Sequence, residues 1–301
     1  MWWLLFNVFI LAMLAIDLGL FQRKAHEVRF REAVAWTGVW VFLALLFGAG
    51  IHAFRGPAPG MQFLAGYLVE LSLSVDNLFV FLLLFSYFRV PRRYQHKVLF
   101  WGILGAILMR SVFILSGIAL IRRFEWILYI FGALLLVTAF KLLREREKKV
   151  EPERNPVLRI MRKFLPLKEG DESGRLLVRD GGRTYGTSLL VVLVAVETMD
   201  VVFAIDSIPA VFAITRDPFI AYTSNMFAIL GLRSMFFALS GALQAFHRLN
   251  VGLSVILGFV GLKMLLSRFV EVPIGASLGF IVAVLAASIA ASLLWPPKNS
   301  D

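Results

Sequence analysis

Five acidic residues fall inside long apolar runs: Glu70, Asp76, Glu197, Asp200 and Asp206. At the centre of a membrane-crossing helix, each would cost roughly 2.5–3.5 kcal/mol even on the lenient insertion scale. They must face a polar cavity, a cation, or one another in protonated form. At about 100° per residue, positions seven apart nearly eclipse. Glu70 therefore stacks with Asn77, and Asp200 with Ser207. Glu197 lies within about 60° of Asp200, while Asp76 and Asp206 project about 100° off those faces. An unbroken helix would spread these acids over much of its circumference. Local unwinding at Asp206-Ser207-Ile208-Pro209 would let them converge, because Pro209 removes a backbone donor and clashes with the preceding turn. Carbonyls freed there would add ligands.

What is missing narrows the ion. The chain has no cysteine, so no thiolate site or disulfide framework exists. His26, His52, His96 and His247 lie in loops or at the ends of apolar runs. The apolar core offers carboxylate, amide, hydroxyl and carbonyl oxygens, which suit Mg²⁺, Ca²⁺ or Mn²⁺ rather than Zn²⁺ or Cu⁺. Met199 is one softer contact beside Asp200, though packing is the ordinary role of such a methionine. Thr223-Ser224-Asn225 add neutral oxygens that commonly bond between helices; Asn225 is also a candidate ligand.

Arg110 and Arg233 also lie in apolar runs, and a purely structural ion-pair network is the competing reading. Two arginines offset only two of five acids, however. The remainder suffices for one divalent ion and a titratable proton. Lys141, Lys263 and Asp17 sit near the ends of apolar runs, where snorkelling or capping is the ordinary explanation. There is no nucleophile–base pair and no nucleotide-binding loop, so neither an enzyme nor an ATP-driven pump is expected.

The elements that must position these residues are helices in a bilayer. The chain is 59% hydrophobic and 17% charged, against about 25% charged in soluble domains. The net charge of +11 would suit nucleic-acid binding. The basic residues, however, bunch in loops between apolar runs, which is how membrane topology is encoded. A helix needs about 20 apolar residues to cross. Nine runs qualify: 2–20, 33–53, 61–88, 98–121, 126–143, 186–214, 219–242, 250–267 and 273–295. The start, Met1-Trp2-Trp3-Leu4-Leu5, lacks a basic region and cleavage site and reads as a retained helix. One set of alternate loops carries Arg23, Lys24, Arg29, Arg31, Arg89, Arg92, Arg93, Lys97 and the basic 141–185 stretch. The expected orientation has the N-terminus outside and the C-terminus cytoplasmic. The loop at 144–185 contains an amphipathic stretch over 155–164, expected on headgroups or in solvent. It also contains a hairpin signal at Asp180-Gly181-Gly182.

The chain repeats itself. Glu70…Asp76-Asn77 matches Asp200…Asp206-Ser207, Met109-Arg110-Ser111 matches Leu232-Arg233-Ser234, and Phe140-Lys141-Leu142 matches Leu262-Lys263-Met264. The order is the same in both halves. Under the expected topology the two three-helix units are inverted, an arrangement that puts a transporter's substrate site between the repeats. The division expected is two helices over 1–60, repeat 1 over 61–143, the cytoplasmic loop over 144–185, repeat 2 over 186–267, and a last helix and tail over 268–301.

Several segments resemble the TerC family. These are Gly66-Tyr67-Leu68-Val69-Glu70 running into Ser74-Val75-Asp76-Asn77; Glu197-Thr198-Met199-Asp200 running into Phe203-Ala204-Ile205-Asp206-Ser207-Ile208-Pro209; Asp217-Pro218-Phe219; and Thr223-Ser224-Asn225 through Leu232-Arg233. The layout looks most like the Alx-type bacterial members. The resemblance implies an all-α inner-membrane protein with LysE-like repeats. It also implies export of Mn²⁺, a link to tellurium resistance, and Glu70, Asp76, Glu197, Asp200 and Asp206 as metal-site residues. Leu71 departs from the family pattern, in which a polar or basic residue is common after the first acid. Protons are the expected counter-ion, since clustered carboxylates hold protons more tightly. Two alternatives stay open: Ca²⁺/H⁺ exchange, and an assembly or metallation role with the membrane-protein insertion machinery.

Overall fold

A computed structural model describes residues 2–21, 30–144, 157–158, 161, 165–168, 174–240, 249–270 and 272–294. The first half forms α1 (Trp2–Phe21), α2 (Phe30–Arg55), α3 (Pro57–Tyr87), α4 (Arg92–Arg123) and α5 (Ile127–Arg144). Three short strands follow: β1 (Leu167–Lys168), β2 (Leu177–Asp180) and β3 (Arg183–Thr187). The second half forms α6 (Ser188–Phe212), α7 (Pro218–Leu230), α8 (Leu232–Ser240), α9 (Leu249–Leu265) and α10 (Ile274–Leu294). Helices α2 to α6 and α10 are long and apolar enough to cross a membrane; α1, α7 and α9 contribute shorter apolar segments.

Two expectations are corrected. The run over 219–242 is not one helix but breaks at Gly231 into α7 and α8. Glycine is about 1 kcal/mol worse than alanine inside a helix, and the Ser234 hydroxyl donates back to the Gly231 carbonyl at 3.0 Å. Nor does the chain unwind at Asp206–Pro209, because α6 runs on through Pro209 to Phe212. Pro209 falls in the last turn, so the ladder ends soon after it; the amide of Ala213 bonds back to the Pro209 carbonyl at 3.0 Å.

The hairpin signal is realised. Strands β2 and β3 pair antiparallel, with Asp180 opposite Arg183. Gly181 and Gly182 between them take φ of 55° and 79°, the left-handed values that a tight two-residue turn requires. Strand β1 adds in parallel beside β3. Thr187 then accepts from the Leu190 amide and caps α6. Most of the amphipathic stretch over 155–164 lies outside the described residues.

Helix α7 is the innermost element, and every residue from Ile220 to Leu230 is buried. A helix without charged residues, whose few polar groups such as Thr223, Ser224 and Asn225 find partners inside, belongs within a bundle. It packs on α3 and α4; α4 packs on α6, and α5 on α9. Bilayer helices gain little from excluding water and depend on close packing instead. Small residues permit it. A Cβ on Gly66 of α3 would stand 2.9 Å from the Ser224 hydroxyl of α7, and one on Gly132 of α5 would stand 3.1 Å from the Gly261 carbonyl of α9. Phe47, Phe63 and Phe227 wedge α2, α3 and α7 together, with ring centroids 4.9–5.9 Å apart. At one end of α7, Asp217 caps its first turn and pairs with Arg55 at 2.7 Å.

Candidate cation site

Four helices converge on one guanidinium. Arg110, midway along α4, is completely buried. Its Nη1 pairs with Oε1 of Glu70 on α3, which is equally buried. The same nitrogen donates to Ser207 Oγ of α6 at 3.3 Å and to Asn225 Oδ1 of α7 at 3.4 Å. The other terminal nitrogen reaches Asp200 Oδ1 of α6 at 3.5 Å. Asp200 and Ser207 share a face because seven residues make nearly two turns, and the unbroken course of α6 preserves that alignment.

Four predicted residues therefore meet in three dimensions: Glu70, Asp200, Ser207 and Asn225. They meet through Arg110 rather than through a broken helix. Several polar atoms there are buried without a hydrogen-bond partner among the described residues: Oε2 of Glu70, Oδ2 of Asp200, Nδ2 of Asn225, Nε of Arg110 and Oγ of Ser74. Buried oxygens are rarely left so, and a set of two carboxylates with amide and hydroxyl oxygens has the chemistry that hard divalent ions take.

The other candidates take separate positions. Asp206 projects away from Asp200, and its Oδ1 accepts from Thr138 Oγ1 of α5 at 2.8 Å. Glu197, partly buried, lays its carboxylate over Gly105 of α4, where a Cβ would collide with it. Asn77 is buried on the Glu70 side of α3, and Arg233 is buried in the first turn of α8. The backbones of Asp76 and Asp17 belong to α3 and α1, but their side chains lie outside the described residues. Lys141 is exposed near the end of α5, as a snorkelling side chain would be, while Lys263 donates to Ser277 at 2.9 Å. Among the described residues, no three His, Cys, Asp or Glu side chains form a ready-made metal cluster.

A model of the TerC family of integral membrane proteins matches residues 55–300. The chain belongs to that family. It is 51% identical over 292 residues to the Myxococcus xanthus uncharacterized membrane protein STKORF319, covering 97% of this chain and 92% of that one. It is 47% identical over 289 residues to Alx of Escherichia coli (strain K12), named as a proposed membrane-bound redox modulator, covering 93% and 90%. A Rickettsia bellii membrane protein is 36% identical over 292 residues, covering 97% of each. No solved structure matches.

The TerC site has neighbours that sequence reasoning passed over. Ser74 follows Glu70 by one turn and is fully buried; its position four residues on was the available signal. Thr138 gave none, since its partner comes from another helix. Phe212 ends α6 with its ring 2.5 Å from where a Gly117 Cβ would stand and stacked on Phe131 at 6.3 Å. Beyond it open two cavities of about 530 and 300 Å³, both lined by Phe212 and Arg216.

Proposed function

We propose that this TerC protein is a secondary transporter that exports a divalent cation in exchange for protons, with Mn²⁺ as the leading cargo and Ca²⁺ as the alternative. The observation that carries this reading is the fully buried meeting of Glu70 and Asp200 with Ser207 and Asn225 around Arg110. Carboxylates at that depth are costly unless they do something with charge. Their unpartnered oxygens form a hard donor set suited to such a cargo. Glu197, one turn before Asp200, and Asp206, on Thr138, are further carboxylate stations along α6, and Asp76 is assigned here with them.

Nine crossings are assigned, with α7 and α8 sharing one. The N-terminus is outside and the C-terminus and hairpin are cytoplasmic, in a bacterial inner membrane. Reciprocal packing fits two units related by a twofold axis, and the assigned topology makes the repeat inverted. The first helix of repeat 1 lies on the second of repeat 2 (α3 on α7), the second on the first (α4 on α6), and the third on the third (α5 on α9). A pseudo-twofold axis through the site would generate that pattern. Phe212 then stands as the outer seal between the acids and the external cavities.

The redox role carried in the name of the Alx relatives also bears on this chain. Without cysteine, a thiol relay is unavailable to it. Control of a redox-active cation such as Mn²⁺ fits both that name and the donor set.

The test is Mn²⁺ uptake into inside-out vesicles, with and without a proton gradient, for wild type, Asp200→Asn and Asp206→Asn. Gradient-dependent uptake that both variants lose is the expected result. Equal uptake by wild type, variants and empty vesicles would remove Mn²⁺ and leave Ca²⁺ to be tried.

A further inference from the structure

The oxygens that would hold the cargo are already holding a cation. Arg110 engages Glu70, Asp200, Ser207 and Asn225, so its guanidinium fills the ground between α3, α6 and α7 where a divalent ion would sit. A hard cation binds oxygen at about 2.0–2.6 Å, and a guanidinium cannot share that space with it. Three of the four Arg110 contacts are long, at 3.3–3.5 Å, against about 2.7–2.9 Å for a tight charge-assisted bond. The Nε of Arg110 and the outer oxygens of Glu70 and Asp200 are unpartnered among the described residues. A purely structural ion pair this deep would be expected to use its bidentate capacity. The side chain instead touches four groups on three helices and grips three of them loosely.

We propose that Arg110 is a tethered counter-ion. It occupies the cation site of the empty carrier, competes directly with the cargo, and swings aside on loading. The proposal rests on the transport reading above and adds a role for this one residue. Its consequence is kinetic. A carrier that has released its cargo must return with its carboxylates desolvated, and unpaired charges there are strongly unfavourable. Counter-protons neutralise part of that charge on the return, and Arg110 pairs with the carboxylate that they leave ionised. Net transport therefore needs Arg110, whereas exchange of one bound ion for another, in which the carrier always moves loaded, does not.

The experiment compares wild type, Arg110→Gln and Arg110→Lys in proteoliposomes. It reads Mn²⁺ affinity, net Mn²⁺ flux, and exchange of internal unlabelled for external radioactive Mn²⁺. Removing a competitor whose charge-assisted bonds are worth about 1.5–3 kcal/mol should lower the Kd by about tenfold or more in Arg110→Gln. Net flux should fall by a similar or larger factor while exchange stays within about threefold of wild type. Arg110→Lys keeps a cation and should recover part of the net flux. If Arg110→Gln is too unstable to reconstitute, thermal unfolding in detergent with and without Mn²⁺ serves instead. Mn²⁺ should then raise the Tm of the variant more than that of wild type, because the ion replaces the missing charge. Loss of binding and exchange together with net flux, an unchanged Kd, or no excess Mn²⁺ stabilisation would overturn the tethered-cation role. Absence of Mn²⁺ and Ca²⁺ binding and flux in wild type would instead overturn the transport reading on which it rests.

Discussion

Thr138 on α5 donates its hydroxyl to the Asp206 carboxylate of α6 across 2.8 Å. The bond ties the two helices together at a partly buried position. Thr138→Val keeps the shape and removes the donor. A lost bond to a charged acceptor costs about 1.5–3 kcal/mol, and one to a neutral acceptor about 0.5–1.5 kcal/mol. Thermal unfolding in detergent should therefore show a clear loss of stability, together with slower gradient-driven Mn²⁺ flux. Unchanged stability would mean that the bond is incidental.

The Glu70–Arg110 pair makes a second prediction. Breaking a buried pair by removing one partner costs about 3–5 kcal/mol, because the other charge is stranded. Glu70→Gln should be strongly destabilising, and so should Arg110→Gln. The double variant should be less destabilised than the sum, with a coupling of about 0.5–3 kcal/mol in a double-mutant cycle. Additive losses would show that the two charges do not depend on each other.

Much of this arrangement was readable in advance. Apolar runs and basic loops mark the helices, since a bilayer forces backbone groups to bond within their own segment. Seven-residue spacing put Asp200 and Ser207 on one face, and they share Arg110. Asp-Gly-Gly announced the turn that Gly181 and Gly182 make. Other features depend on partners distant in sequence. Helical periodicity says which way Asp206 points but not that Thr138 waits there. Pro209 read as a break because its disruption was judged locally, whereas α6 is held by α4, α3 and α5 on several sides. Arg110 read as a neutraliser of charge; its position amid four groups emerges only when α3, α4, α6 and α7 are brought together.

Gly105 offers a test of Glu197 that leaves the acid itself intact. A Cβ there would run into the Glu197 carboxylate, the movable end of a flexible side chain. Gly105→Ala should push that carboxylate aside while strengthening α4 by up to about 1 kcal/mol in helix propensity. Stability should hold or rise while Mn²⁺ flux falls several-fold. Full flux in a stable Gly105→Ala protein would take Glu197 out of the ion path.

The last prediction concerns the C-terminal end of α6. Phe212 lies against Gly117 and Phe131, with two cavities on its far side. A buried Phe→Ala change usually costs about 3–5 kcal/mol, but a ring already bordering cavities has fewer contacts to lose, so Phe212→Ala should fall at or below the low end. Functionally it should join the cavities to the acids. Vesicles should then leak Mn²⁺ down its concentration gradient without a proton gradient, and Phe212→Leu, which still fills the gap, should leak far less. Gly117→Ala should act in the opposite sense, crowding the ring and slowing flux, because any opening must slide Phe212 across that glycine. Tight, gradient-dependent transport by Phe212→Ala would put the seal elsewhere, with Phe131 the next side chain to truncate.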